Sequence, residues 1–296
     1  MPNNVHVGSV ALIGKPNAGK STLLNHLIGE KISIISARPQ TTRTLISGIY
    51  QDANAQIVFY DTPGVNLGKN LLSQFMMQEV EKVLKTVDFV FWILDASESW
   101  DPIMDYLFFR LNTMTVPVWV ILNKIDLIPE QPLQVLKHRF LKKTWPLIEI
   151  QANQPDQVER LLHRIKSQLP LGIPQWDSQL FTEMTLKQLA EELIREPCLM
   201  YLRDEIPYGI AVQVETFKEA PPPSPVIIEA ILYVEKESHR GILIGAQGQQ
   251  LKSIGAQARI SIEKLLNQKV FLKLWVKVAR NWRKNPVFLK KFGYHS

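Results

Sequence analysis

A chain of 296 residues exceeds the roughly 100–200 of a typical domain, so two domains are expected, and 46% hydrophobic against 21% charged residues excludes a disordered or fibrous class. One cysteine, Cys198, rules out an intrachain disulfide, and neither it nor the six histidines show metal-ligand spacing, so a transition-metal enzyme is not expected. The absence of a signal-peptide pattern, and of any apolar run near the ~20 residues of a spanning helix, points to a protein of the reducing cytosol that does not cross a membrane.

Val7 to Ile13 reads as a strand and Ser21 to Ile28 as a helix, with Leu23, Leu24, Leu27 and Ile28 at helical spacing. Between them stands GKPNAGKS, which fits the phosphate-loop pattern GxxxxGK[ST]. Gly14 and Gly19 let backbone N–H groups turn around a polyphosphate, Lys20 brings an ammonium to the outer phosphates, and the Ser21 hydroxyl suits magnesium. A strand before the loop and a helix after it put the anion on a helix N-terminus.

Lys31 to Arg43 lacks periodicity and contains ARPQTTRT, where Thr41 or Thr42 could complete a magnesium shell only while a γ-phosphate is present, as a switch does. Gln56 to Tyr60 is a strand that ends in DTPG. Asp61 then sits where open α/β sheets place ligands, able to hold magnesium through a water, and the Gly64 N–H can sense the γ-phosphate. Leu71 to Lys85 and Tyr106 to Asn112 read as helices, and Val87 to Leu94 and Val116 to Leu122 as buried strands, so a parallel sheet covered on both faces is expected. The last of these strands delivers Asn123, Lys124, Ile125 and Asp126. An aspartate there can accept from N1–H and the exocyclic amine of guanine, which adenine cannot match.

These three motifs, in order, resemble the translation-factor-related small GTPases. That pattern implies one more loop, whose alanine N–H meets guanine O6. Ala152 holds that position after the strand Leu147 to Ile150, with Gln151 where a serine is usual.

Pro170, Gly172 and Pro174 break the pattern, so the domains are expected to divide near residue 172 into 1–172 and 173–296. Thr185 to Arg195 reads as an amphipathic helix, with Pro197 opening or kinking the segment after it. Ile210 to Phe217 and Val226 to Val234 read as strands joined by a stiff EAPPPSP loop. Gly245, Ala246, Gln247 and Gly248 form a GxxG turn before a helix with Leu251, Ile254, Ala258, Ile262 and Leu265 on one face. Val270 to Val278 then alternates as a strand with one buried face. Helix, strand, strand, helix, GxxG, helix, strand is the order of a type II KH module, whose turn clamps about four single-stranded nucleotides. After Glu263 there is no acidic residue. The lysines and arginines of this end, interleaved with Trp275, Trp282 and Phe292, suggest a polyanionic partner, which the net charge of +6 supports.

An α/β phosphate-loop GTPase domain, its mostly parallel sheet carrying helices on both faces, followed by an α+β type II KH domain, closely resembles the Era family of ribosome-assembly GTPases. The resemblance rests on GKPNAGKST, KISIISARPQTTR, DTPG, NKID, IPYG, ILIGAQGQQLKSIG and LKLWVKV. It implies GTP or GDP held by Gly14, Asn17, Ala18, Gly19, Lys20, Ser21, Thr22, Asp61, Gly64, Asn123, Lys124, Asp126 and Ala152. Magnesium would be held by Ser21, Thr41 or Thr42 and Asp61, and hydrolysis served by Lys20, Asn17, Thr42 and Gly64. Asn17 also resembles an asparagine that ligates potassium in related GTPases. RNA would meet Gly245, Ala246, Gln247, Gly248, Lys252, Lys273, Lys277, Arg280 and Lys284. The implied partner is small-subunit (16S) ribosomal RNA near its 3′ end, bound by a monomer that assists maturation of the 30S subunit. The family also associates peripherally with the inner membrane face, which no pattern here demands. Val65 follows DTPG where Ras-like proteins place a water-orienting glutamine close by, so slow hydrolysis is expected. Two other readings stay open: an RNA-binding scaffold with a nearly inactive nucleotide site, and a membrane-associated regulatory GTPase.

Overall fold

The computed structural model describes residues 4–36, 38, 40–68 and 70–294. Ala37 and Pro39 of the ARPQTTRT stretch lie outside the described residues. The chain divides into two compact units, one comprising Met1–Ser33, Thr42–Gly68 and Met76–Glu183, the other Ile34–Thr41, Lys69–Phe75 and Met184–Ser296.

The first unit is built on seven strands: β1 (Val5–Ile13), β2 (Ile46–Gln51), β3 (Ala55–Asp61), β4 (Phe89–Asp95), β5 (Val118–Asn123), β6 (Leu147–Glu149) and β7 (Leu171–Gly172). Their order is β2-β3-β1-β4-β5-β6, with β7 paired to the start of β1. All neighbours from β3 to β6 are parallel, whereas β2 and β7 pair antiparallel at their own places. Strands covered on both faces need apolar residues in succession, and β4 (FVFWILD) and β5 (VWVILN) are buried along their whole length. Around the sheet are α1 (Lys20–Ile28), α2 (Leu71–Leu84, of which the part from Met76 belongs to this unit), α3 (Pro102–Asn112), α4 (Glu130–His138) and α5 (Pro155–Lys166). On one side Trp92 meets the rings of Trp100, Phe108, Phe140 and Trp145. Helix α3 starts at Pro102, earlier than its apolar pattern predicts, because Asp101 caps it by accepting from the N–H groups of Ile103 and Met104.

The first unit runs to Glu183, past the Pro/Gly stretch that the sequence marks as a boundary. Gln56, buried in β3, explains why: its Oε1 accepts from the N–H groups of Gln175 and Trp176 at 2.6 and 3.1 Å, and its Nε2 donates to Trp176 O at 2.8 Å. Thr182 Oγ1 then donates to Ser47 O at 2.6 Å. A linker whose backbone polar groups are matched this way behaves as part of the sheet it lies on.

The second unit contains α6 (Leu186–Tyr201), β8 (Ala211–Lys218), β9 (Val226–Val234), α7 (Glu237–Ile244), α8 (Gln249–Leu266), β10 (Val270–Val278) and α9 (Pro286–Lys291). The sheet order is β10-β9-β8, with β9 and β10 parallel and β8 and β9 antiparallel. Thr185 and Gln188 form a reciprocal capping box that starts α6. Pro197 neither opens nor ends a helix. It lies inside α6, which continues to Tyr201, with Cys198 and Leu199 buried in the core of this unit. Residues 34–41, expected as part of a switch loop, are counted with this unit. Ile34 is in its core, and the Arg38 guanidinium donates to the carbonyls of Leu199 and Leu202 at the C-terminal end of α6. Among the described residues no helix is long and apolar enough to cross a membrane.

Candidate functional site

In the first unit the loop after β1 and the loops after β3 and β5 all leave the C-terminal edge of the sheet. Gly19 precedes α1 at φ +98, and a Cβ there would come within 2.1 Å of Asn123 Nδ2. Only glycine leaves room for the bond that Asn123 makes from that nitrogen to Ala18 O, 2.8 Å long. Gly14 accepts from Val65 N–H at 3.0 Å, which ties the segment after Gly64 to the phosphate loop. Val65 itself is fully buried in the core.

The side chains gather on Asp61. Its Oδ2 accepts from Ser21 Oγ at 2.6 Å, Ser33 Oγ at 2.8 Å and Thr42 Oγ1 at 3.3 Å, and the Ser21 and Thr42 hydroxyls are 3.0 Å apart. Burial pushes the Asp61 carboxyl above its ordinary value, against the pull of Lys20 and these hydroxyls. Its Oδ1 is buried and has no hydrogen-bond partner among the described residues. A buried carboxylate oxygen left unmatched beside two hydroxyls is a donor set of hard oxygens, which fits magnesium. Thr42 is in this cluster and Thr41 is not. The Thr41 hydroxyl donates to Arg38 O at 2.6 Å, so of the two threonines expected at the metal only Thr42 stands beside Asp61. Ser33 was missed in the sequence, since nothing in KISIISARPQTTR marks it as a partner of a carboxylate on β3.

Lys20 is buried, its ammonium 2.8 Å from Lys15 O and 3.3 Å from Gly14 O. Desolvation lowers its pKa to about 8, although the Asp61 carboxylate works the other way. An anion bound in the loop would keep the ammonium charged, so binding and protonation of Lys20 are linked. Because the free-state pKa is depressed, phosphate affinity is full below pH 8 and declines as pH rises above it. Between pH 7 and pH 9 affinity for a nucleoside triphosphate should fall by about tenfold. Lys20→Ala should bind weakly at both pH values with no slope. A wild-type titration by calorimetry that stays flat over this range would remove Lys20 from the phosphate contacts. Lys15, pointing out of the same loop, is anchored at 2.6 Å to Asp101 and 2.5 Å to Glu98. Partial burial tends to lower its pKa, but these hydrogen bonds outweigh it and leave the ammonium above the ordinary lysine value.

A cleft of about 260 Å³ opens beside the loop, walled by Gly19, Thr22, Asn123, Lys124, Asp126 and Ala152 among others. Asn123 joins its sides, since its Oδ1 accepts from Ala152 N–H at 2.8 Å while its Nδ2 holds Ala18. The Ala152 N–H expected to meet a base oxygen is therefore already engaged with Asn123. Lys124 sits in the left-handed region at φ 58 and its ammonium pairs with Asp95 at 2.6 Å, which fixes the side chain at the cleft wall. Asp126 is exposed in the short 3-10 turn Ile125–Leu127. Gln151, in place of the usual serine, has its N–H held by Gln157 Oε1 at 2.7 Å, so the loop is closed by a residue of α5 instead. Asn17 lies half-buried in the loop at φ 64.

In the second unit Gly245, Ala246, Gln247 and Gly248 form the turn between α7 and α8, with Gly245 at φ +73, Gln247 at φ 50 and Gly248 at φ +76. A Cβ on Gly245 would stand 2.6 Å from Gln250 Cβ, so that position needs glycine on two counts. The turn leads into a cleft of about 440 Å³ between α8 and β10, lined by Gly248, Lys252, Gly255, Arg259 and Leu272 to Leu274. The structure thus brings Lys252 to this cleft and adds Arg259, while Lys273 borders it with its ammonium over the Trp275 ring. The spacing of Lys252 and Arg259, seven apart on one helix face, was the signal that could have found it. Lys277, Arg280 and Lys284 are exposed but do not line this cleft.

The aromatic residues of the basic end divide. Trp282 is fully buried, donates to Gly209 O at 2.8 Å and stacks on Tyr294, while Phe292 packs on Tyr233 and Trp282. Arg283 pairs with Glu235 at 2.5 Å and Lys291 donates to the Tyr233 hydroxyl at 2.9 Å. The basic, aromatic tail expected from the sequence is in large part the cap of a core.

Comparison with known proteins matches a family described as 50S ribosome-binding GTPase over residues 9–124 and the KH domain family over residues 205–283. The chain is 42% identical over 291 residues to GTPase Era of Caldanaerobacter subterraneus and 43% identical over 294 residues to GTPase Era of Caldicellulosiruptor saccharolyticus, covering 97% of each chain in both cases. A crystal structure of Era in complex with MgGDPNP and nucleotides 1506–1542 of 16S ribosomal RNA is similar, with a TM-score of 0.93 and 36% identity, over 99% of this chain and 100% of that one. A variant of Aquifex aeolicus Era bound to GDP·AlF4⁻ matches with the same TM-score, identity and coverage.

Proposed function

The chain belongs to the Era family of GTPases, and from that premise we propose that it binds and hydrolyses GTP, binds 16S ribosomal RNA near its 3′ end, and assists maturation of the small subunit in the cytoplasm. The observation that carries the reading is the convergence of Ser21, Thr42 and Asp61 beside a buried Lys20, in a chain that also holds a GxxG turn at a basic cleft. Magnesium, when bound, neutralises charge on the phosphates. Ser21, Thr42 and, through water, Asp61 would hold it. The remaining work falls to the chain itself. Lys20 puts an ammonium against the outer phosphates, the Gly64 N–H meets the γ-phosphate, and Asp126 selects guanine.

The buried Val65 supports slow intrinsic turnover, because no side chain at that position can orient the attacking water. Thr41 O accepts from Arg195 of α6 within the second unit, while the next residue, Thr42, stands at Asp61 within the first. The reading is tested by measuring GTP turnover and binding of a 3′-terminal 16S RNA in the GTP and GDP states. Turnover absent even with RNA would favour a scaffold with an idle nucleotide site, and equal RNA affinity in both states would show that RNA binding does not depend on the nucleotide.

Asn17 in the phosphate loop supports a potassium ion as the stand-in for an arginine finger, a group worth about 10³–10⁵ in rate where it occurs. Hydrolysis should run at least about tenfold faster in potassium than in sodium chloride. Asn17→Ala should erase the difference, and equal wild-type rates in the two salts would dispose of the ion.

A further inference from the structure

The sheet of the second unit has two unlike faces. Even-numbered residues of β9 and β10, such as Val226, Ile228, Val270 and Val276, lie in the core. Odd-numbered residues turn the other way and pair across the parallel register: Phe271 with Ile227, Lys273 with Glu229, Trp275 with Ile231, Lys277 with Tyr233. The Tyr233 end is covered, with the Phe292 ring 4.7 Å away and Lys291 on the hydroxyl. The other end is open at its rim, where Phe271 is 56% exposed, Ile227 39% and Trp275 37%, while Ile231 beside Trp275 is buried.

Two exposed rings on one strand with a lysine between them are not ordinary scattered surface residues. The Lys273 ammonium stands 4.6 Å from the centre of the Trp275 ring, a cation held over a flat face. Four residues of strand separate Phe271 from Trp275, about 13 Å, with Lys273 and then Lys277 available to phosphates between and beyond. Glu229, the carboxylate beside Lys273, accepts from Thr216 Oγ1 at 3.1 Å and so is partly committed within the sheet. Strand β10 is also the sheet edge, and Leu272 to Leu274 form a wall of the GxxG cleft. A single strand leaving that cleft meets the open rim after crossing one strand edge.

We infer that the outer face of β10 is a second RNA-binding platform, on which Phe271 and Trp275 stack bases of the same strand whose neighbouring nucleotides the GxxG turn clamps. The inference rests on the KH reading above. Flat rings with interleaved lysines suit single-stranded RNA, since every base offers a π-face and every phosphate a charge.

The test compares RNA affinity of the full chain for the whole 3′-terminal single strand of 16S RNA and for pieces of about four nucleotides tiled along it. Phe271→Ala with Trp275→Ala should weaken the long strand by about tenfold for each ring lost and leave the best short piece unchanged. Trp275→Phe should restore binding and Trp275→Leu should not. Wild-type affinity of the double variant for the long strand overturns the platform, and rescue by Leu equal to that by Phe overturns stacking in favour of an apolar protein-contact face. Ala246→Asp with Gln247→Asp is measured alongside. If that variant loses RNA while the ring variant keeps it, only the platform fails, and if neither changes RNA binding the KH reading fails with it. Ultraviolet crosslinking of the unmodified protein guards against misfolding of the variants: adducts must map to Phe271 or Trp275, outside the cleft wall of Leu272 to Leu274, and their absence there overturns the inference.

Discussion

Asp126→Asn will lose most of its affinity for GTP and gain affinity for xanthosine triphosphate. The carboxylate lies exposed on the short turn after β5, at the cleft that Asn123 bridges to the phosphate loop. It can accept from both N1–H and the 2-amino group of guanine. An amide keeps one acceptor and turns the other end into a donor, which faces the 2-amino donor and is repelled. Two charge-assisted hydrogen bonds at about 1.5–3 kcal/mol each correspond to roughly 10²–10⁴ in dissociation constant. Xanthine offers a 2-oxo acceptor instead, so the same amide suits it. Asp126 has no hydrogen-bond partner among the described residues, so the fold should be untouched and the loss confined to nucleotide. Calorimetric titration with both triphosphates decides the matter, and unchanged GTP affinity would sink the base assignment.

The parts of this site that were legible from sequence are those whose chemistry is local. A phosphate loop needs glycine at a left-handed position and a lysine beside it in sequence, so residues 14–21 announce themselves, and the same holds for Asp61 after β3 and for Gly245 to Gly248. Periodicity served equally well on β10, where Val270 and Val276 are buried and Phe271 and Trp275 exposed, as alternation requires. Strand β2 escaped notice because Ser47 and Gly48 interrupt its apolar run, and its place is set by pairing with β3.

The features that could not be read depend on which distant group a side chain finds. Thr41 and Thr42 are equivalent on paper, and only the fold turns one to a carbonyl and the other to Asp61. Trp282 beside Arg283 looks like a nucleic-acid contact, yet its indole finds Gly209 O and its ring finds Tyr294, which makes it core. Pro197 removes a backbone donor and should break a helix. It is tolerated inside α6 because the residues around it are buried in the second unit, and tertiary packing outweighs local propensity there. The division near residue 172 falls short of the first unit's end for the same kind of reason, since the capture of Gln175 and Trp176 by Gln56 has no signature in the linker itself.

Ala246→Asp with Gln247→Asp should abolish tight RNA binding and spare GTP. Both side chains are exposed in the GxxG turn, so two carboxylates can be added without burying charge. Gln247 stands at φ 50, a conformation that aspartate tolerates better than most residues, and Gly245 and Gly248 keep their own positive φ values. The turn therefore retains its shape while the surface that must meet phosphates changes sign. Juxtaposed like charges cost several kcal/mol at a binding surface, which is a loss of at least about a hundredfold in affinity. Part of that loss is repulsion that salt can screen, so the residual affinity of the variant should fall less steeply with salt than that of the wild type, which declines through counterion release. On the proposed reading GTP is held by residues 14–21, 61 and 123–126 of the first unit, so its affinity should not move. Matching thermal unfolding curves would show that the variant is folded. Undiminished RNA affinity in a folded variant would mean that the GxxG turn is not an RNA clamp, and the second unit would then be read as a module for binding protein.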